Sequence, residues 1–211
     1  MLDKCVRDQW SIDDLDWSIR PPEMPRDKEE EVVQAFVDMA GIELLAGALF
    51  EVQRQKTADP VLRKIFSTFV ADEKRHSAVA SRLAQHYDVH HYRAYTESPS
   101  LTAFRPHFLA LVENTSPEIA NAYITSGELI LDVALLRSLD DYVADEMSHR
   151  AMHLINRDES RHIAIDFHMM EHCCSDEYLE IVRARRRPSI SGMARVMREL
   201  ATIMWFAKAF V

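Results

Sequence analysis

Long stretches of the chain carry apolar residues at three- and four-residue spacing, which is the spacing of one helix face. One stretch covers 27–57, and a second follows Asp59-Pro60 and fades near Tyr87. Asp before Pro is a typical helix start, because Asp caps the free N–H groups and Pro fits the first helical turn. We interpret residues 27–88 as a helical hairpin.

The same pattern returns after Ser116-Pro117 and predicts a second helical hairpin over 116–175, with its turn near 141–146. The connection between the hairpins, residues 89–115, is interrupted by His and Pro. It is long enough to carry the chain along the length of a helical bundle, with room for one short helix.

Two further segments flank the hairpins. Residues 1–26 predict an irregular arm that Trp10 and Trp17 anchor on the folded body. Residues 189–211 predict an extra helix that is apolar on more than one face, either as a lid or as a dimer interface. We therefore expect an all-α chain with a single domain over 1–211, and a homodimer.

Composition supports a helical protein, because only 4 of 211 residues are Gly and tight β-turns consume Gly. The net charge of -9 argues against a broad nucleic-acid-binding surface, which needs clustered positive charge. Apolar residues make up 47% of the chain, yet no run of 18 predicts a membrane span.

Cysteine usage bears on the compartment. Cys5, Cys173 and Cys174 form no Cys-x-x-Cys pair and are odd in number, so they predict neither a disulfide framework nor a zinc site. The first residues also lack the apolar run of a signal peptide. Together these features lead us to expect a cytoplasmic protein.

Four glutamates lie on the apolar faces of the predicted helices and are candidates for metal binding. Two of these glutamates begin a Glu-x-x-His motif. In a helix, residues three apart project from the same side, so each motif forms a two-pronged ligand set. The candidate metal ligands and catalytic residues are Glu43, Glu73, His76, Glu128, Glu159 and His162.

Buried carboxylates repel one another and cost several kcal/mol each unless a cation compensates. Four glutamates balance two divalent ions, and oxygen and nitrogen donors suit iron or manganese. Glu43 precedes Glu73 by 30 residues and Glu128 precedes Glu159 by 31, so each hairpin supplies one Glu and one Glu-x-x-His. This repeat predicts a dinuclear site.

With these motifs the chain resembles the ferritin-like diiron-carboxylate superfamily. The resemblance covers about residues 27–173 and implies a four-helix bundle with one long crossover. It also implies two iron ions (or Mn, or mixed Fe/Mn) and O2 as co-substrate.

The resemblance further implies outer partners for the ligands, since a metal-bound His usually donates its other N–H to a carboxylate. Asp72 is expected to reach His162 and Asp158 to reach His76, with Arg75 and Arg161 closing ion pairs. Two further inward carboxylates, Asp132 and Asp166, are outer acceptors or added ligands.

The Asp-Glu-x-Arg-His motifs are similar to those of acyl-carrier-protein desaturases and p-aminobenzoate N-oxygenase-like enzymes. The latter carry a third histidine where this chain has Ile155. We expect an O2-dependent diiron oxygenase or oxidase that hydroxylates, N-oxygenates or desaturates a small-molecule or carrier-bound substrate, using an external electron donor. The alternatives are iron storage, peroxide detoxification, or an interaction module that has kept the ligands.

Three of the four glycines, Gly41, Gly47 and Gly127, lie near the candidate ligands within predicted helices. Gly inside a helix costs about 1 kcal/mol relative to Ala. Their positions predict either close helix packing, or a functional role that provides space for dioxygen or substrate or forms a local π-bulge at the site.

Overall fold

The computed structural model describes residues 1–130, 135–185 and 189–207. Throughout these ranges the structure is helical and contains no strand, which confirms the all-α prediction. Apart from one short 3-10 turn at Ile12–Asp14, the helices are α1 (Leu2–Arg7), α2 (Arg26–Lys56), α3 (Pro60–Tyr87), α4 (Pro99–Asn114), α5 (Pro117–Gly127), α6 (Leu135–Val143), α7 (Glu146–Cys173), α8 (Asp176–Ala184) and α9 (Ile190–Ala207).

The first hairpin consists of α2 and α3, which pack along one another over most of their length. Their connection is short because Asp59 accepts hydrogen bonds from the backbone N–H groups of Val61 and Leu62, and Pro60 occupies the first turn of α3. This cap fixes the point at which the chain reverses.

Four helices contact one another in a ring: α2 lies against α3 and α5, and α7 lies against the same two helices. Apolar side chains fill the interior in two clusters. One contains Phe36, Leu83 and Met152, and the other contains Phe50 and Phe69. Fully burying a side chain of this size stabilises the fold by about 1.5–3 kcal/mol, so the two clusters hold the helices around the region between them.

The connection at 89–115 contains a longer helix than the pattern predicts. Helix α4 runs through Pro106 and packs against α2, α5 and α9. Lys56, the last residue of α2, donates to the carbonyl oxygens of Val112, Glu113 and Thr115, which fixes the end of α4.

The prediction of an irregular arm over 1–26 was wrong for part of that segment. Helix α1 forms there and packs on α3 with Cys5 fully buried. Ser11 and Asp14 then form a reciprocal capping box around the 3-10 turn. Tertiary packing and this local cap order a stretch that lacks helical periodicity.

The second hairpin is also more divided than its pattern predicts. Its first arm is helical in α5, continues as a π turn over 128–130, and is helical again in α6. The turn into α7 falls at Ala144, whose φ is 54°, and at Asp145, the N-cap of α7. Ser175 caps the short helix α8, which the pattern did not indicate.

Two segments, Arg26–Lys56 and Pro117–Val143, have the length and composition of a membrane-crossing helix. This is weak support for a membrane span, since the core helix of a folded domain passes the same test. In α2 most of the apolar window is buried against other helices.

Candidate metal centre

The region between the two apolar clusters holds all six predicted ligand residues. Glu43 projects from α2, Glu73 and His76 from α3, Glu159 and His162 from α7, and Glu128 from the start of the π turn after α5. None of these side chains is more than 3% exposed. The i, i+3 spacing on α3 and α7 turns each Glu and His toward the same interior space.

Their donor atoms form two overlapping groups with the composition of metal sites. One group is Glu43, Glu73, His76 and Glu159, and the other is Glu73, Glu128, Glu159 and His162. Within each group one donor atom per residue lies within 4.8 Å of the others. Glu73 and Glu159 belong to both groups, so each could contribute a donor atom to both.

Each histidine turns one ring nitrogen inward and the other outward. Nδ1 of His76 lies 3.0 Å from Oε1 of Glu159, and Nδ1 of His162 lies 3.0 Å from Oε1 of Glu73. The outward Nε2 atoms face Asp158 at 3.1 Å and Asp72 at 3.3 Å. A carboxylate accepts hydrogen bonds, so in the neutral imidazole the proton belongs on Nε2 and the lone pair on Nδ1 points to the interior.

Two arginines bind the outer carboxylates. Arg75 donates from Nη2 to Asp72 at 2.6 Å and to Asp158 at 2.7 Å. Arg161, although buried, donates to Asp158 at 2.6 Å and lies 3.5 Å from Asp72. The cross-pairing of Asp72 with His162 and of Asp158 with His76 is therefore present, with both arginines around it.

The N-terminal arm closes this outer layer, which sequence reasoning did not anticipate. Trp10 donates from Nε1 to Asp158 at 2.7 Å and stacks on His76, while the guanidinium of Arg75 lies over its indole ring. Gln9 donates to Asp72 and accepts from Arg75. The arm's tryptophans were the only signal in the sequence that this segment is anchored.

The residues fit a pair of cations. In the described part of the chain, both carboxylate oxygens of Glu43 and Glu73 and Nδ1 of His76 have no hydrogen-bond partner. Nδ1 of His76 and Oε1 of Glu159 are close, but neither is satisfied by a hydrogen bond. Buried polar atoms that converge without bonding one another suit a shared metal ion.

Charge leads to the same conclusion. Arg75 and Arg161 pair with Asp72 and Asp158, whereas among the described residues Glu43, Glu73 and Glu159 have only the imidazoles of His76 and His162 within ion-pair distance. Burying charges without compensation costs several kcal/mol each, and metal ions bound at the two ligand groups would supply compensating charge.

In the absence of a metal ion, the pKa values of Glu43 and His76 lie away from their ordinary ranges. Burial, reinforced by the charges of Glu73 and Glu159, raises the pKa of Glu43 well above its usual range. Burial disfavours the charged form of His76, but the carboxylates of Asp158 and Glu159 outweigh it and raise the pKa. Without a metal ion these shifts favour the protonated forms of Glu43 and His76, and a bound metal ion would displace those protons.

Of the two further carboxylates, Asp166 is fully buried in α7, whereas Asp132 lies outside the described residues. Burial raises the pKa of Asp166 to about 7. Thr125 and Gln53 lie near its oxygens, but neither oxygen has a hydrogen bond to a described residue. The hydroxyl of Thr125 donates instead to the carbonyl oxygen of Asn121.

The glycines near the site serve different contacts. A Cβ at Gly47 would lie 3.2 Å from Cβ of Glu73, so Gly47 allows α2 to approach a shared ligand closely. A Cβ at Gly41 would instead meet the side chains of Glu97 and Arg105, away from the ligands. At Gly127 the nearest atom is an ordinary contact at 3.9 Å, and the π turn begins at the next residue.

A small apolar cavity of about 20 Å³ reaches Glu128. Side chains of α2, α4 and α5 line it, among them Leu45, Phe108 and Ile124. A space of this size holds about one water-sized molecule. Here an apolar cavity meets a candidate ligand.

No protein-family model, curated protein or solved structure matches the chain.

Proposed function

We propose that this chain is a ferritin-like diiron oxygenase or oxidase that uses O2 to oxidise a small organic substrate by hydroxylation, N-oxygenation or desaturation. The observation that carries the proposal is the pair of overlapping ligand groups that share Glu73 and Glu159. The ring of α2, α3, α5 and α7, with α4 in the connection, agrees with a four-helix bundle and one long crossover.

In this proposal Glu43 and His76 complete one metal position, and Glu128 and His162 complete the other. Two Fe(II) ions held there would supply the electrons that reduce O2. Asp158 and Asp72 orient the imidazoles by accepting their Nε2 protons. Arg75 and the buried Arg161 pair with these aspartates and favour their ionised form, so the histidine lone pairs stay directed inward.

Access to the site supports oxidase chemistry over iron storage. Storage requires ions to travel to the site, and carboxylates or other polar groups would have to line their path. The cavity at Glu128 is lined instead by apolar side chains such as Leu49 and Phe108, which favour a small apolar molecule such as O2.

O2 consumption coupled to product tests the proposal. Purified protein with Fe(II), a reductant and candidate amines or acyl thioesters is expected to consume O2 continuously and to form an oxidised organic product. Mass spectrometry with isotopically labelled O2 identifies oxygenation, and an unsaturated product identifies desaturation. Accumulation of ferric mineral without organic product would contradict the proposal and favour storage.

His76→Ala and His86→Ala form a matched pair for this assay. His76 is a proposed ligand, whereas His86 on the same helix lies against Trp17 and Tyr87, away from the ligand groups. We expect the first variant to lose product formation and the second to retain it. Equal activities in the two variants would contradict the assigned role of His76.

A further inference from the structure

A second and larger cavity, of about 450 Å³, lies where α2 and α7 end and α5 begins. Its wall is mostly apolar and includes Val52, Leu62, Ala120 and Met169. Small-molecule sites typically have this size and combine an apolar wall with a few placed polar groups. None of the six candidate ligands lines this cavity.

The cavity has one buried polar group with an unused acceptor. Gln53 lines it, is only 6% exposed and donates from Nε2 to Oδ1 of Asn121 at 3.1 Å. Asn121 in turn donates from Nδ2 to the carbonyl oxygen of Asp166. Because Asn121 must present its oxygen to Gln53, the amide of Gln53 cannot be reversed. Its Oε1 therefore lacks a hydrogen-bond partner among the described residues.

The charged groups of the cavity wall are already engaged. Lys56 donates to three backbone carbonyls, Arg185 pairs with Glu118, and the carboxylate of Asp59 caps α3. An ionic head group that pairs with Lys56, Arg185 or Asp59 would have to compete with one of these interactions. A neutral ligand that brings a donor to Gln53 breaks none of them, and it satisfies a buried acceptor.

We propose that this cavity binds a neutral, largely apolar small molecule that donates one hydrogen bond, from a hydroxyl or N–H group, to Oε1 of Gln53. The site is distinct from the metal centre, although Asn121 joins Gln53 to the backbone of Asp166, one helical turn after His162. Binding here requires no metal, so its failure and the failure of the proposed oxygenase function are separate results.

Two probes of equal heavy-atom count test the proposal on the full chain without added metal. 1-Octanol carries the hydroxyl donor, and 1-methoxyheptane has the same length but only an acceptor. The ε-methyl NMR signal of Met169 reports occupancy of the cavity, and its change with probe concentration gives each dissociation constant. We expect 1-octanol to shift this signal and to bind about tenfold more tightly.

Gln53→Met removes the acceptor and keeps an apolar side chain of similar length. We expect this variant to bind both probes equally, at about the affinity of the wild-type chain for 1-methoxyheptane. The wild-type comparison needs no substitution, so the test stands even where the variant does not fold. Equal affinities of the wild-type chain for the two probes, no binding of either probe, or an unmoved Met169 signal would overturn the proposal.

Discussion

The carboxylates of Asp72 and Asp158 determine the ring orientation and the protonated nitrogen of the two histidines. Asp158 receives three donors on one oxygen: Nε1 of Trp10, Nη2 of Arg75 and Nε2 of His76. Burial raises the pKa of Asp158, but these contacts outweigh it and hold the pKa well below its usual range. An aspartate that stays ionised keeps the imidazole proton on Nε2, and Nδ1 is left as the donor atom.

Removing the indole N–H tests this role at a single residue. Trp10→Phe keeps the ring stacking but removes one hydrogen-bond donor to Asp158. We expect Asp158 to be less firmly positioned and therefore to orient His76 less well. Loss of an outer partner typically costs 10–100-fold in metal affinity. We expect a loss of about tenfold at the low end of that range, measured by anaerobic Fe(II) titration.

Trp17→Phe is the matched control. Trp17 donates to the carbonyl oxygen of Ile12 and lies under Arg82, away from the outer carboxylates. This variant should bind Fe(II) as the wild-type chain does. The same loss in both variants would show that the arm acts only through general stability.

At the scale of elements, the packing of α2 on α3 sets how far Glu73, the residue shared by both ligand groups, lies from Glu43 on α2. Phe50 and Phe69 hold the two helices together on one side of the site. Gly47 lets the backbones approach there, because any larger residue meets the rigid Cβ of Glu73 rather than a flexible side-chain end.

Gly47→Ala is expected to separate the helices slightly and to weaken metal binding at both positions, since Glu73 belongs to both groups. In Gly127→Ala the nearest described atom to the new methyl belongs to Phe108, at an ordinary contact distance of 3.9 Å. That variant should gain up to about 1 kcal/mol of helix stability. Thermal unfolding measures the change in stability, and Fe(II) titration measures the change in metal affinity. Tighter Fe(II) binding by Gly47→Ala would contradict the claim that Gly47 sets the distance between the two helices.

Helical spacing predicted which residues converge at the candidate metal centre. The Glu-x-x-His motif places two donor side chains on one helix face, regardless of the structure of the connecting loops. Their role as metal ligands stays a prediction. The closure of the outer layer by Gln9 and Trp10 could not be predicted, since their partners lie 63 and 148 residues away and no local pattern records such contacts. Helix α8 was missed because its nine residues are too short for a clear period.

Across the whole molecule, a polar cluster joins the start of the second hairpin to helix α8 and to Arg185, which follows that helix. Glu118 on α5 accepts from the hydroxyl of Tyr178 and from Arg185. Burial favours the protonated acid, but its own backbone N–H and the bonds from Ser116, Arg185 and Tyr178 lower the pKa of Glu118 to about 2.

This shift gives a defined pH dependence. The folded pKa of about 2 is below the ordinary 4.5, so the stabilisation is present above pH 4.5 and is lost as pH falls toward 2. Glu118→Gln should therefore unfold at lower urea than the wild-type chain at pH 6, with the difference shrinking below pH 4.5. A difference that is constant from pH 6 to pH 3 would contradict the ionised cluster.

The most direct test of the central claim is the number of metal ions that the chain binds. Anaerobic Fe(II) titration followed by elemental analysis is expected to give about two ions per wild-type chain. His162→Ala should retain about one, because it removes a donor from one group, and Glu73→Ala should weaken both positions. Fewer than about one ion per wild-type chain, or unchanged binding in both variants, would contradict a dinuclear centre at these residues.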